Sequence, residues 1–237
     1  MTKAYHDPDF INSEEARPLR IQAEYLGPRQ RLEALGISRA ITFWGSARIQ
    51  PGQPDVGDGR DYYQLAQELG ARLARWTLER HRPGERFHIL TGAGPGIMEA
   101  AHKGAAEVDI SLNVGLNISL PFEQGSNPYI PAAQSFEFHY FFMRKFWFLE
   151  LSAALVVFPG GFGTLDELFE VLTLIQTGKA RRRPVVLFGQ DYWSEVINLE
   201  ALARQGLISA EDLDVVLRAN DVDSAFQLLT GALSPEA

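Results

Sequence analysis

The residues best suited to bind an anion form a glycine-rich turn, Pro-Gly-Gly-Phe-Gly-Thr, at positions 159–164. A buried strand is predicted to end just before this turn, and a helix is predicted to begin near Thr164. The first N–H groups of a helix lack partners within the helix and carry partial positive charge, and glycine lets a phosphate approach the backbone closely. The turn therefore predicts a phosphate site, although a tight strand-to-helix connection without a ligand also explains its glycines.

Two glycine-rich turns depart from the common nucleotide motifs. An ATP-hydrolysing P-loop ends in Gly-Lys-Ser/Thr, whereas Leu165 and Asp166 follow Thr164. The second turn, at 91–96, has Ile97 where a dinucleotide fingerprint has its third glycine, and no acidic residue follows at the expected distance. We therefore expect this turn to contact an anion or a base, and an NAD-dependent oxidoreductase is disfavoured.

Two charged residues near these turns are candidates for catalysis. Glu167 lies in the first turn of the predicted helix, close to any phosphate ester on the glycine-rich turn, but a carboxylate there also complements the helix dipole. Arg144 lies in the apolar segment 141–148, where a buried cation is costly without an anionic partner. A structural ion pair, or a guanidinium that reaches solvent, would explain Arg144 without catalysis.

Alternating strands and helices are predicted to position these groups. Runs rich in β-branched and aromatic residues predict strands at 40–44, 87–90, 112–118, 154–158, 185–188 and 215–218. Helical periodicity predicts helices at 61–80, 97–107, 140–151, 164–176, 192–203 and 224–229. This order indicates an α/β fold: a Rossmann-like open parallel sheet with helices on both faces, in three αβα layers.

The chain is expected to form one domain preceded by an extension. Residues 1–37 are polar and include a predicted helix at 13–35, which Ser13 is expected to cap and which Pro18 and Gly27-Pro28 are expected to break. Residues 38–237 are expected to form a single nucleotide-binding and catalytic domain. Within this domain, the stretch from 121 to 136 is interpreted as a long loop.

Four turns follow predicted strands, and a parallel sheet would bring all four to the same edge. They lie at 45–48, at 91–96, at Asn117 with Pro121, and at 159–164. Ligands of open α/β sheets bind in the crevice beyond the carboxyl ends of the strands. Four separate weak signals therefore predict one site.

Composition excludes several classes of function. The 237 residues include 22 basic and 30 acidic side chains, and the net charge of −8 disfavours nucleic-acid and anionic-membrane partners. The absence of cysteine excludes disulfides and thiolate chemistry, and fits a reducing cytoplasm. The five histidines lack metal-ligand spacing. Neither a signal peptide nor a membrane-spanning segment is expected from the hydropathy pattern.

Taken together, these motifs resemble the Lonely Guy-type cytokinin riboside 5′-monophosphate phosphoribohydrolases, a family often labelled "possible lysine decarboxylase". The resemblance covers roughly 40–189, and its most specific part is the signature Pro-Gly-Gly-x-Gly-Thr-x-x-Glu, which 159–167 matches. Arg144 and Lys145 match the Arg-Lys pair of the family. The stretch 91–100 matches a further motif in which Ala93 replaces the usual glycine, and the extension is similar to the longer bacterial branch.

The resemblance implies hydrolysis of the N-glycosidic bond of a nucleoside 5′-monophosphate, such as AMP or a cytokinin riboside monophosphate, to free base and ribose 5-phosphate. It also implies a homo-oligomer, no cofactor or metal, and Arg144 and Glu167 as the catalytic pair. Substrate contacts are then expected from Gly45, Ser46, Arg48, Gly92, Gly94, Gly96, Met98, Asn117, Glu123, Lys145, Gly160, Gly161, Gly163, Thr164, Asp166 and Thr173.

The implied reaction suits these residue types. Cleavage of a ribosyl bond builds positive charge on the sugar, which the Glu167 carboxylate can stabilise while it orients or deprotonates water. Arg144 stays charged at ordinary pH, so we expect it to bind phosphate or to polarise the departing base. Decarboxylation usually needs a Schiff-base lysine, and no lysine has a convincing context for one. The alternative is a non-catalytic module that binds a nucleotide or a phosphorylated cofactor.

Overall fold

The computed structural model describes residues 3–52, 59–119 and 125–234, which form one seven-stranded sheet. The strands are β1 (Ala40–Trp44), β2 (His88–Thr91), β3 (Asn113–Ile118), β4 (Ser135–Phe138), β5 (Ser152–Val157), β6 (Val185–Phe188) and β7 (Val216–Ala219). The helices are α1 (Pro8–Ile11), α2 (Arg17–Leu35), α3 (Tyr62–Arg80), α4 (Ile97–Asp109), α5 (Phe141–Leu151), α6 (Phe162–Gln176), α7 (Gln190–Val196), α8 (Leu199–Arg204) and α9 (Val222–Leu233). Short 3-10 helices occupy Ala4–His6, Ile110–Leu112, Ala132–Gln134 and Ala210–Val215.

All neighbouring strands are parallel, and their order is β4-β3-β2-β1-β5-β6-β7. From β1 the chain proceeds outward to β4, and α5 then returns it to β5 on the other side of β1. The direction of winding therefore changes between β1 and β5. Turns that leave the sheet on either side of such a switch point form a crevice, where open α/β sheets bind ligands.

Helices cover both faces of the sheet. Helices α3, α4 and α9 pack on one face, whereas α2, α5, α6, α7 and α8 pack on the other. Successive residues of β1 alternate between the two layers, because side chains of a strand point to opposite faces. Ile41 and Phe43 belong to the first layer, and Ala40 and Trp44 belong to the second. The predicted three-layer αβα architecture is confirmed.

The predicted loop from 121 to 136 was too long, because its end belongs to a strand. Ser135–Phe138 forms the edge strand β4, which pairs with β3. Phe136 and Phe138 are buried and Glu137 is exposed, so the segment alternates as a strand does. Four residues that follow a polar, proline-containing stretch gave too short a pattern to recognise.

The single helix predicted at 192–203 was also wrong, because two helices occupy this segment. Helix α7 ends at Val196, and the backbone of Ile197 is extended. The side chain of Asn198 then accepts a hydrogen bond from the Ala201 N–H and begins α8. An asparagine competes well for backbone N–H groups at helix starts, which explains the interruption.

Helix α2 begins later than predicted. Ala16, rather than Ser13, directly precedes its first residue. Pro18 does not break the helix, because it lies in the first turn, where a backbone N–H has no partner within the helix in any case.

The pair Gly27-Pro28 does not break α2 either. Pro28 lacks the N–H that would donate to the carbonyl of Glu24 one turn earlier. That carbonyl instead accepts a hydrogen bond from Trp147 Nε1 on α5, at 3.0 Å. The bond lost at the proline is therefore replaced by a bond between two helices.

Residues near the end of the predicted extension pack into the sheet's second layer. Leu32 and Ile37 are buried in the same apolar cluster as Trp44. The division of the chain at 37/38 stays a prediction. Among the described residues, no helix is long and apolar enough to cross a lipid bilayer.

Candidate active site

A cleft of about 960 Å³ opens at the switch point between β1 and β5. The turn after β1 and the glycine-rich turn after β5 line it, and Ser46 connects the surrounding turns. Its N–H donates to the Pro159 carbonyl at 2.9 Å, and its carbonyl accepts from the Ile97 N–H at 3.2 Å. Many of the residues predicted from the sequence line this cleft, namely Gly45, Ser46, Arg48, Met98, Gly160, Gly161, Gly163, Thr164 and Glu167.

The glycine-rich turn leads directly into the N-terminus of α6. The helix begins at Phe162, and the preceding Gly161 provides no side-chain cap. A Cβ atom at Gly160 would lie 2.2 Å from Thr164 Oγ1, so the turn has room only for glycine there. The Tyr192 hydroxyl donates to the Gly160 carbonyl at 2.5 Å and fixes the turn from the β6 side. This geometry turns the N-terminus of α6 toward the cleft, an arrangement that binds anions.

Arg144 on α5 and Glu167 on α6 meet beside the cleft. Arg144 Nη2 lies 3.1 Å from Glu167 Oε1, and each side chain is only 12% exposed. The guanidinium also lies 5.2 Å from the ring centre of Phe141 and 5.7 Å from that of Phe148. Its Nε–H is buried and finds no acceptor among the described residues. The pair is therefore enclosed, with one donor that the described residues do not use.

This enclosure shifts the protonation equilibria of both groups. Burial raises the pKa of Glu167 from 4.5 to about 7, against the opposing effect of the Arg144 cation. Burial also lowers the pKa of Arg144, while the Glu167 carboxylate opposes that change. A carboxyl group that titrates near neutrality can serve as a general base at physiological pH.

Lys145 and Asp166 contact each other next to this pair. Lys145 Nζ lies 3.1 Å from Asp166 Oδ2 and 2.8 Å from Glu170 Oε2. Burial lowers the pKa of Lys145, but the hydrogen bonds that its ammonium group donates to Glu170 and Asp166, with the charges of those carboxylates, outweigh burial and raise it. Neither Lys145 nor Asp166 is among the described residues that line the 960 Å³ cleft, so their substrate contacts stay predictions.

The glycines of the turn at 91–96 make room for cleft residues. A Cβ atom at Gly92 would lie 2.9 Å from Met98 Sδ and 3.8 Å from Arg144 Nη1. A Cβ atom at Gly94 would lie 2.8 Å from Met98 Cε. Glycine at these two positions therefore leaves room for the Met98 side chain, and direct contact of the turn with a substrate stays a prediction.

Two residues of the same turn have left-handed backbone conformations. Gly96 has φ +69°, and a Cβ there would lie 2.3 Å from the Ser46 carbonyl oxygen. Ala93 has φ +64°, which costs about 1 kcal/mol for a residue other than glycine. The Ala93 carbonyl accepts hydrogen bonds from Asn127 N–H at 2.8 Å and Asn127 Nδ2 at 3.1 Å. These bonds hold the conformation that the usual glycine would adopt freely.

Two of the predicted contacts lie away from this cleft, and a third falls outside the described residues. Asn117 lines a separate cleft of about 690 Å³, together with Ser119 and Glu137. Thr173 is exposed on α6, and its hydroxyl donates to the Phe169 carbonyl at 2.7 Å. Glu123, like Pro121, lies outside the described residues.

The sequence analysis missed Tyr192, which lines the cleft and holds the Gly160 carbonyl. Tyr192 follows β6, the neighbour of β5 in the sheet. Its signal was available, because Gly189 marks a fifth turn after a predicted strand.

The described histidines do not form a metal site. No group of three or more His, Asp or Glu side chains in the described ranges is placed to hold a metal ion. His102 lies fully buried, with Nε2 at 3.2 Å from the carbonyl oxygens of both Ile89 and Val114. Burial lowers its pKa to about 4, so this histidine is neutral at physiological pH.

Comparisons with known proteins agree with the fold and the signature. The chain is 26% identical over 188 residues to the cytokinin riboside 5′-monophosphate phosphoribohydrolase of Rhodococcoides fascians, covering 71% of this chain and 81% of that protein. It superimposes on the molybdenum cofactor binding protein of the phototrophic bacterium Rippkaea orientalis with a TM-score of 0.55 and 19% identity, over 83% of this chain and 98% of that one. A structural-genomics target solved by X-ray crystallography gives a TM-score of 0.53 at 21% identity, over 81% of this chain and 99% of the other.

The two structural similarities concern the fold, since identity is low in both. The sequence family described as "Possible lysine decarboxylase" matches residues 98–229. This match includes Arg144, the glycine-rich turn and Glu167, and it spans more than half of the chain. The chain therefore belongs to the "Possible lysine decarboxylase" family, as its signature predicted.

Proposed function

We propose that the protein hydrolyses the N-glycosidic bond of a nucleoside 5′-monophosphate, releasing the base and ribose 5-phosphate. One observation carries this proposal: a buried Arg144–Glu167 pair, 3.1 Å apart, stands beside a cleft lined by the glycine-rich N-terminus of α6. The name of the Rhodococcoides fascians relative supports the same chemistry. AMP and cytokinin riboside monophosphates are the proposed substrates.

In this proposal, the glycine-rich turn binds the 5′-phosphate. The N–H groups of Phe162, Gly163 and Thr164 open α6 and carry its partial positive charge. Arg48 is exposed on the opposite turn and adds a cation to the same cleft. When the 5′-phosphate binds here, the C1′ end of the ribose can reach Glu167, which lines the same cleft.

Glu167 then acts on water and on the developing sugar cation. The ionised carboxylate accepts a proton from water while the water oxygen bonds to C1′ of the ribose. The C1′–N bond breaks, and its electron pair leaves with the base. The negative charge of Glu167 stabilises the positive charge that accumulates on the ribose during this step. The base takes up a proton from solvent.

Arg144 has a supporting role in the same step. Its guanidinium stays charged and is a poor proton donor. It therefore stabilises the departing base or the phosphate by hydrogen bonding through the Nη groups that Glu167 does not use. It also keeps the pKa of Glu167 from rising further, since its positive charge opposes the effect of burial.

The contacts of Lys145 argue against the decarboxylation that the family description names. A Schiff-base mechanism requires a lysine that loses its proton readily. Lys145, the lysine nearest the pair in sequence, has a raised pKa and bonds Glu170 and Asp166. These contacts keep its ammonium group charged and hydrogen-bonded to the two carboxylates.

A second candidate function is non-catalytic binding of a nucleotide or a phosphorylated cofactor. The structural similarity to the Rippkaea orientalis protein, whose name states that it binds molybdenum cofactor, favours this alternative. Both candidates use the same phosphate site. Tight binding without turnover, together with indifference to Glu167→Ala, would favour the carrier.

The proposal is tested by incubating the purified protein with AMP and quantifying adenine and ribose 5-phosphate. Equal amounts of both products are expected, and adenosine should be a poor substrate because it lacks the 5′-phosphate. A panel of purine, pyrimidine and cytokinin monophosphates identifies the preferred base. If none of them releases a base, the protein is not a phosphoribohydrolase.

A further inference from the structure

The first turn of α5, which leads to Arg144, is held only in part by apolar packing, through the buried side chains of Tyr140 and Met143. Phe141 and Phe142 begin the helix and are 50% and 47% exposed. The side chain of Tyr140, the residue before the helix, makes no capping hydrogen bond. Met143 is buried within the first turn, and Trp147, Phe148 and Leu151 bury the later turns. Contacts from outside α5 therefore add to the packing that holds the start of the helix.

Glu24 on α2 provides that restraint. Its Oε1 accepts a hydrogen bond from the His139 N–H at 2.8 Å, and its Oε2 accepts one from the Tyr140 N–H at 3.2 Å. Its backbone carbonyl accepts from Trp147 Nε1 at 3.0 Å. One residue of α2 thus contacts both the start and the middle of α5. A carboxylate at this end also complements the helix dipole.

Neighbouring residues of α2 make further contacts with the start of α5 and with the segment before β4. Arg20 Nε donates to the Tyr140 hydroxyl at 3.3 Å, and Arg31 Nη2 donates to the Ala133 carbonyl at 2.7 Å. The Tyr25 ring lies 5.9 Å from that of Trp147. Pro28 has no N–H to compete for the carbonyl of Glu24, which accepts the bond from Trp147 instead. The proline is therefore part of the arrangement.

Arg144 is one helical turn beyond the contact with Glu24. Its N–H donates to the Tyr140 carbonyl at 3.1 Å, so the position of Tyr140 determines that of Arg144. We propose that Glu24 is a positioning residue, which fixes the first turn of α5 so that Arg144 meets Glu167. The catalytic part of this inference rests on the proposed function. It gives a role in the site to the N-terminal helix α2, which lies outside the signature motifs.

A kinetic comparison of Glu24→Ala with Glu33→Ala tests this role. Glu33 also lies on α2, but it pairs with Arg29 on an exposed surface, so it is a matched control for the lost charge. We expect Glu24→Ala to lower kcat for AMP at least about tenfold, because small displacements of catalytic groups are costly. The affinity for ribose 5-phosphate, measured by calorimetry, should change little. Glu33→Ala should resemble the wild type in both.

A second readout does not depend on turnover. The charged groups around Glu167 are Arg144 and Lys145 on α5, and Asp166 and Glu170 on α6. If α5 shifts, the two cations retreat while the two carboxylates stay. Glu24→Ala should therefore raise the pKa of Glu167, observed by carbon-13 NMR titration of its carboxyl group, and Glu33→Ala should not. If the wild type hydrolyses no nucleotide, the proposed function fails, but this titration still decides the role of Glu24.

Two milder variants separate positioning from general stability. Glu24→Gln keeps an acceptor for one of the two N–H groups and should restore part of kcat. Trp147→Phe keeps the aromatic packing but removes the donor to the Glu24 carbonyl, and should raise the Glu167 pKa less than Glu24→Ala does. The proposal is overturned if the Glu167 titration is unchanged in folded Glu24→Ala, or if kcat falls no further than in Glu33→Ala.

Discussion

Two opposing influences determine the pKa of Glu167. Burial favours its neutral form, while Arg144 at 3.1 Å favours the carboxylate. The outcome is a pKa of about 7, well above the ordinary 4.5. Such a group is ionised in part at neutrality, yet basic enough to accept a proton from water. An ordinary surface carboxylate would be a much weaker base.

The pKa of Glu167 leads to a prediction about rate and pH. The base must be ionised, so kcat/KM for AMP should rise with pH and level off above an apparent pKa of about 7. Initial rates across a pH series, with buffers of constant ionic strength, measure this profile. A rate that is constant from about pH 5 to about pH 8 would show that another group is the base.

The same pKa also predicts a dependence of stability on pH. The folded-state pKa is raised, so the folded protein binds more protons than the unfolded chain between 4.5 and about 7. Ionisation of Glu167 therefore costs stability as pH rises through this range, by up to about 3 kcal/mol. Relative to the wild type, Glu167→Gln should become more stable as pH rises. Urea unfolding at several pH values tests this trend, and an opposite trend would contradict it.

At this scale the sequence identified much of the candidate site. The family resemblance, carried by the signature at 159–167 and the Arg144-Lys145 pair, named Glu167 and Arg144 as a catalytic pair, and the structure brings the two side chains into contact. Tyr192 was missed because its role depends on β6 lying beside β5, which is a property of strand order. Asn117 follows its strand as predicted, but its side chain lines another cleft.

At the scale of elements, glycines allow α3 and α4 to pack closely on one face of the sheet. A Cβ atom at Gly104 on α4 would lie 1.8 Å from the Gln67 carbonyl oxygen of α3. A Cβ atom at Gly70 on α3 would lie 2.4 Å from the Ala101 carbonyl oxygen of α4. Helix α4 begins at Ile97, whose N–H bonds Ser46, so this packing also supports the cleft.

This close approach predicts opposite outcomes for two glycine substitutions. Gly104→Ala should destabilise the protein by about 1–3 kcal/mol, because the methyl group meets rigid backbone. Gly231→Ala is the matched control, since Gly231 lies in α9 with no atom within 4 Å of the added Cβ. It should stabilise the protein by about 0.5–1 kcal/mol, because alanine favours the helix. Denaturant unfolding measures both, and a stable Gly104→Ala variant would contradict the packing argument.

Local pattern predicted the elements well where one principle dominated. The bounds of β1 and β6 match the prediction, because both are short runs of mostly β-branched and aromatic residues that are buried along their whole length. Strand β4 was missed, and the continuity of helix α2 through its proline was not predicted, because both depend on distant residues. The proline in α2 is tolerated through Trp147, and β4 forms by pairing with β3. No local window contains those partners.

At the scale of the whole molecule, an apolar groove between α2 and α5 stands out. It has a volume of about 530 Å³, and Tyr25, Leu26, Phe142 and Phe146 are among its lining residues. These four side chains are between 37% and 57% exposed. Contiguous apolar surface of this kind marks interaction sites in soluble proteins. We expect a homo-oligomer that buries this face, consistent with the resemblance on which the expectation first rested.

The oligomer prediction is tested by Phe142→Glu, which places a charge in the groove. Analytical ultracentrifugation should show an oligomer for the wild type and a smaller species for the variant, because burial of an unpaired carboxylate is costly. Leu207→Glu is the control, since Leu207 is 65% exposed outside the groove. A wild-type protein that sediments as a monomer at all concentrations would contradict the expectation.

AMP hydrolysis and ribose 5-phosphate binding by Glu167→Gln test most directly whether the Arg144–Glu167 pair is the catalytic centre. Glu170→Gln, on the next turn of α6, is the control. Loss of the general base and of the negative charge should lower kcat by about 10²- to 10⁴-fold. Binding of ribose 5-phosphate should persist, because the glycine-rich turn is intact, and Glu170→Gln should retain most of its activity. Full activity of Glu167→Gln would show that the Arg144–Glu167 pair is not the catalytic centre.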